Sequence, residues 1–230
     1  MTLPKTLIAG MVAIACTGLL TTPATFAQGN GQAVAPPQTE VLTVTENEAL
    51  RFMREEEKLA RDVYITLYNQ WKLPVFNNIS QSEQRHTDRV KALLQTYRLT
   101  DPVTNDTVGV FLNADLAALY AQLVARGQTS PLEALHVGAL IEEVDIVDLQ
   151  KSMSETTRPD ILSTYDNLMR GSRNHLRAFV GQIQAQGVTY VAQTMPQAEV
   201  DAIVNSPNER GQGGGGYGGG NGNGQGRGRW

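Results

Sequence analysis

Cysteine is nearly missing. Cys16 is the single one in 230 residues, which excludes a disulfide framework and a thiolate metal cluster. Clustered positive charge is missing as well. Residues 40–205 carry 15 Lys and Arg against 22 Asp and Glu. Phosphate backbones require concentrated cations, so no nucleic-acid partner is expected. The glycine-rich run near the C-terminus has no preceding strand and no following Lys-Ser/Thr, and no serine sits in a nucleophile elbow. Phosphate-loop and serine-hydrolase chemistries are therefore set aside. Between residues 43 and 205 the strand-type alternation of apolar and polar residues is almost absent.

The two ends differ from the middle in composition. Residues 1–27 read as a secretory signal: Lys5 supplies the positive start, Leu7 to Leu20 is apolar or small, and Thr25-Phe26-Ala27 offers a cleavage point. The expected destination is periplasmic, extracellular or envelope-associated, and removal of Cys16 suits such an oxidising compartment. Ala13-Ile14-Ala15-Cys16 weakly resembles a lipoprotein box, which makes lipidation of Cys16 the second processing route. Residues 28–42 read as a linker and residues 206–230 as a Gly-rich tail, with 12 glycines from Gly211 to Trp230. That tail lacks the apolar surface needed to offset the entropy of ordering, so disorder and a tethering contact with the cell envelope are expected.

Residues 43–205 should form one helical domain. Thr45 with Glu48 predicts a capping box ahead of a helix from Ala49 to Trp71, closed by Pro74. A second helix is expected from Asn78 or Ser80 to about Leu99. A long connection through Asp101-Pro102 and Asn105-Asp106 then leads to a minor helix, Ala114 to Arg126, ended by Gly127. Ser130, Pro131 and Glu133 give the strongest helix start in the chain, for a helix reaching Ser154. Pro159 opens the last long helix, expected to end at Gly187, and Met195-Pro196 introduces a short terminal one. The fold class is all-α: a four-helix bundle whose middle pair is joined by a long crossover containing a minor helix.

Helical spacing also identifies polar residues that face inward. Glu56 falls within the first helix's stripe of Ala49, Phe52, Met53, Ala60 and Val63, with Glu57 at its edge. The second helix steps through Ile79, Glu83, His86, Val90 and Leu93, so Glu83 and His86 form an inward Glu-x-x-His pair. Glu142 faces inward on the next long helix, flanked by Glu143 and Asp145, and His175 faces inward on the last. Isolated buried charges cost several kcal/mol each, so these groups must neutralise one another, take up protons or hold a cation. Carboxylate and imidazole donors without thiolate favour iron or manganese, with zinc as a further choice.

Three segments carry a family resemblance: Glu55 to Tyr64 (EEEKLARDVY), Ser82 to His86 (SEQRH) and Ala139 to Ile146 (ALIEEVDI). They resemble the ferritin-like superfamily and, more narrowly, a bacterial family catalogued as domain of unknown function 2202. The resemblance spans about Thr43 to Asn205. It implies a di-iron carboxylate centre fed by one Glu from each of two helices and a Glu-x-x-His from each of the other two. Carried onto this chain, the ligands are Glu56 or Glu57, Glu83, His86, Glu142 and His175. Periodicity favours Glu56, whereas the superfamily's Glu followed seven residues later by Tyr favours Glu57 with Tyr64. The last helix departs from the pattern, because Ser172-Arg173-Asn174-His175 has serine where glutamate is expected. Asp145 is the substitute ligand nearby, and the expectation is one or two metal ions with oxidase or peroxide-scavenging chemistry.

Plainer readings compete with this one. Ser80 and Glu83 could form a capping box, and the Glu55–Glu57 run could be a solvated face paired with Arg51, Arg54 and Arg61. Arg85, Arg89, Arg173 and Arg177 flank the ligands and could neutralise them without metal. The chain would then be a non-enzymatic envelope or secreted interaction module with a metal-free polar core. A homodimer is compatible with either reading. His136 lies off the main stripe.

Overall fold

A computed structural model describes residues 41–210. The signal, lipidation and linker readings of residues 1–40, and the Gly-rich run from 211, lie outside the described residues. Among those described, all regular structure is helical: α1 (Val44–Trp71), α2 (Pro74–Thr96), α3 (Ala114–Gly127), α4 (Pro131–Ser154), α5 (Pro159–Gln184) and α6 (Gln197–Val204). No helix of this set is long and apolar enough to cross a membrane.

Local chemistry explains where the helices begin. The capping box of α1 is made by Thr43 and Glu46 rather than Thr45 and Glu48: Thr43 Oγ1 accepts from the Glu46 amide, and a Glu46 carboxylate oxygen accepts from the Thr43 amide at 2.9 Å. Glu46 also holds Thr156 and Arg158 from the α4–α5 turn, a second use that favours this register. Pro74 does more than close α1. It is the first residue of α2, where its missing N–H costs nothing, so α2 starts four residues before Asn78. Ser130 caps α4 as expected, accepting from Glu133 N at 3.0 Å. α5 ends at Gln184, short of Gly187, which sits at φ +77° after the helix.

Side-chain pairs give the helix directions. Arg54 meets Thr87, and Arg61 meets Gln84, so α1 and α2 run antiparallel. Tyr64 reaches Gly138 while Glu56 meets Asp148, and Gly138 abuts Phe179 while Asp145 meets Ser172, which makes the α1–α4 and α4–α5 pairs antiparallel too. Tyr97 meets Asp160 and Glu83 meets His175, giving the same relation between α2 and α5. α2 and α4 consequently point the same way, and the chain must travel the length of the bundle between them. Residues 97–113 and α3 make that journey. Tyr64, Phe76 and Phe179 stack at tilted angles with centroids 5.2–6.0 Å apart, forming an aromatic layer inside the bundle.

The crossover is tied down by the polar side of the α1 motif. Lys58 is fully buried, 2.5 Å from Asp62 and 3.0 Å from the Thr107 carbonyl. Asp62 also accepts from Gly109 N, and Arg54 pairs with Asp101. Glu55 is not part of a solvated face: it is 4% exposed and accepts from the Leu112 and Asn113 amides. The motif is therefore polar on two sides for two reasons, and only one of them faces the bundle axis.

Candidate metal centre

Glu83 stands at the middle of the bundle, 2% exposed, with an imidazole on either side. Its Oε2 is 2.7 Å from His86 Nδ1, and its Oε1 is 2.7 Å from His175 Nδ1. Glu57 Oε2 approaches His86 Nδ1 at 3.3 Å, and Glu142 Oε2 approaches His175 Nδ1 at 3.4 Å. Two compact triads result, Glu57–Glu83–His86 and Glu83–Glu142–His175, each with donor atoms within 4.8 Å of one another, and Glu83 belongs to both. The rings of His86 and His175 lie nearly parallel with centroids 5.6 Å apart.

These close approaches lack the alignment of hydrogen bonds. Both Nδ1 atoms, Glu83 Oε1 and Glu57 Oε1 are buried without a hydrogen-bond partner. Buried polar atoms are ordinarily paired, so donors that converge without bonding one another suit a shared cation. Supporting bonds come from behind. Tyr64, fully buried, donates to Glu142 Oε1 at 2.5 Å, and Ser172 donates to Asp145 Oδ2. Hydrogen bonds of this kind orient metal-binding carboxylates.

Charge in the metal-free state is distributed by burial and by these neighbours. Burial opposes protonation of His175, but Glu83 and Glu142 outweigh it and raise the imidazole to about 10. His86 is likewise driven well up against its burial by Glu83 and Glu57. Burial would lift Glu83, yet the two imidazoles reverse that and hold it far below the carboxylate range. Glu57 rises to about 7, chiefly through burial. Burial, followed by Glu57 and Glu142, pushes Asp145 well upward.

Of the seven side chains expected at the site, Glu57, Glu83, His86, Glu142 and His175 converge in the two triads. Glu56 and Asp145 lie outside them. Periodicity favoured Glu56 over Glu57, and the structure reverses that order: Glu56 turns toward Asp148 of α4, one residue around from the triads. Asp145 pairs with Ser172, the serine that replaces the expected glutamate, and leaves its Oδ1 buried and unpartnered. Ser80 sits inside α2 and donates to the Asn77 carbonyl, so the Ser80–Glu83 capping box does not form. The four arginines proposed as neutralisers are committed elsewhere: Arg173 and Arg177 bind Glu209, and Arg85 and Arg89 are exposed.

The roles of two residues escaped the sequence reading. A Cβ on Gly171 would lie 2.5 Å from His86 Nε2, so the absent side chain leaves room for that ring. Its place on the last long helix, one turn before His175, was the available signal. Glu143, adjacent to Glu142, is fully buried and faces the other way, accepting from Tyr190 and from the amides of Gln193, Thr194 and Met195.

A groove of about 470 Å³ between α1, α3 and α4 runs from the surface to Glu57, Glu83 and Glu142. Phe52, Leu119 and Leu123 are among its apolar walls.

Comparison with known proteins places these features. The family described as an uncharacterized protein domain (DUF2202) matches residues 46–207. This chain belongs to that family. The match takes in all five converging side chains of the DUF2202 domain and both triads. The uncharacterized protein MJ0754 of Methanocaldococcus jannaschii is 52% identical over 166 residues, covering 72% of this chain and 90% of its own. A crystal structure of hypothetical protein MJ0754 from Methanococcus jannaschii DSM 2661 superposes with a TM-score of 0.72 at 50% identity. It covers 74% of this DUF2202 chain and 97% of the crystallised one.

Proposed function

We propose that this DUF2202 protein is a ferritin-like metalloprotein that holds one or two transition-metal ions, iron first and manganese or zinc as alternatives, within its bundle. Export through residues 1–27 forms part of the proposal. The antiparallel order of the four long helices with one long crossover supports the ferritin-like reading. One observation carries the metal reading: Glu83 lies 2.7 Å from an imidazole nitrogen on each side, inside two triads in which both Nδ1 atoms, Glu83 Oε1 and Glu57 Oε1 are buried without a hydrogen-bond partner.

Charge balance points the same way. Glu57, Glu83, Glu142 and Asp145 surround only two imidazoles, and the nearby arginines pair with Glu209 or face solvent. A cation would take the place of the protons that burial favours on Glu57 and Asp145, and it would satisfy several donors together. Glu57 and His86 would hold one ion, Glu142 and His175 the other, and Glu83 would span them. An iron or manganese ion held by these residues would supply a redox couple for oxygen or peroxide. Tyr64 holds Glu142 in place, the aromatic layer of Tyr64, Phe76 and Phe179 excludes water from one side, and the groove admits small reactants from the other.

Elemental analysis of protein from iron-supplemented cells should find metal bound, and Glu83→Ala combined with His86→Ala should abolish it. Chelation should lower the melting temperature of the wild-type protein, because a ligand of the native state stabilises it by mass action. No bound metal, or unchanged metal in the double variant, refutes the proposal. A melting temperature indifferent to chelator would favour an interaction module instead.

A further inference from the structure

The groove that reaches the centre is acidic along its length. Nine carboxylates line it against one amine, that of Lys151. On α1, Glu48 and Glu56 follow one face; on α4, Asp145 and Asp148 follow the facing one, with Glu155 just past its end. Since the two helices run antiparallel, exposed Glu48 and Glu155 stand at the surface end. Glu56, Asp148 and Asp145 stand deeper, next to the triads. Acidic side chains alone are common on helices. What distinguishes this set is that Glu56 Oε2 and Asp145 Oδ1 are buried without a hydrogen-bond partner in residues only 8% and 7% exposed, and both residues line the groove. Asp148 is close enough to Glu56 to be electrostatically linked to it.

We infer that Glu56, Asp148 and the free oxygen of Asp145 form a holding site for a divalent cation on its way from the groove mouth to the two triads. The inference rests on the metal-centre reading above and adds a route and a third site to it. Oxygen donors alone, without imidazole, suit a labile hold on a hard divalent ion. The triads add nitrogen donors and therefore retain a transition metal more tightly. A partly enclosed acidic groove with apolar walls focuses the field along its axis and raises the local cation concentration, which accelerates capture. The same field disfavours an anionic ligand in this groove, despite its leucine-rich walls.

The test uses full-length protein stripped with chelator and mixed with cobalt(II) chloride, followed by stopped-flow absorbance. Glu56→Gln with Asp148→Asn removes the carboxylate donors at nearly constant volume. The expected result is the same amount of cobalt at the triads at equilibrium, with uptake slower by roughly tenfold. Asp148→Lys places a cation on the half-buried α4 position, leaves both triads intact and should slow uptake further. Wild-type uptake should also slow as salt is raised, and the variants should lose part of that dependence. Equal uptake rates in all three proteins overturn the route while leaving the centre standing. If folded wild-type protein takes up no cobalt, the centre itself falls and the route with it.

Discussion

Gly171 shows how much a single missing side chain can decide. Its hydrogen faces the His86 ring, and a methyl group there would overlap Cε1 and Nε2. Gly171→Ala should push His86 away from Glu57 and Glu83, cost about 1–3 kcal/mol through overpacking, and remove one metal equivalent while the His175 triad persists. Metal stoichiometry beside thermal melting measures both effects. Glu209 supplies a residue-scale test of opposite character. Hydrogen bonds from Arg173 and Arg177, working against partial burial, depress its carboxyl to about 2 from the ordinary 4.5. A depressed folded-state value means that its contribution is complete above 4.5 and is lost as pH falls toward 2. The segment after α6 should therefore loosen from α5 across that window, and hydrogen exchange of residues 205–210 should report it.

At the scale of elements, α1 and α4 each serve two masters. Glu57 and Tyr64 of α1 face the centre while Lys58 and Asp62 fasten the crossover, and Glu142 of α4 faces the centre while Glu143 fastens residues 190–195. Adjacent residues on a helix are 100° apart, so neighbouring carboxylates reach different partners. Glu143→Ala would leave several buried donors without an acceptor. It should cost about 3 kcal/mol and expose the amides of Gln193, Thr194 and Met195 to exchange, with metal binding retained. Glu142→Ala should do the reverse, weakening metal binding without freeing that segment. Measuring both properties in both variants separates the two faces of α4.

For the whole molecule, the decisive quantity is the proton balance of its centre. Without metal, His175 titrates near 10 and His86 well above its usual value, in each case because neighbouring carboxylates outweigh burial. Raised folded-state values mean that the stability from these pairs is complete below about 6.5 and is lost at higher pH, for His175 as pH climbs through about 10. A cation at Nδ1 must displace those same protons. Metal affinity should thus rise with pH across this window while the metal-free protein loses stability, and calorimetry in buffers of differing ionisation enthalpy should detect released protons. Much of this molecule is legible in the order of its residues. The all-helical class, the crossover and its minor helix, the Ser130 cap and the inward Glu83–His86 pair follow from turn chemistry and 3.6-residue spacing. Those are properties of each helix about its own axis. Glu57 rather than Glu56 at the centre, Glu55 and Glu143 as anchors, room for His86 at Gly171, and arginines spent on Glu209 were decided only in three dimensions. They depend on how far each helix is rotated and slid against its neighbours, and that is settled by packing between residues distant in the chain.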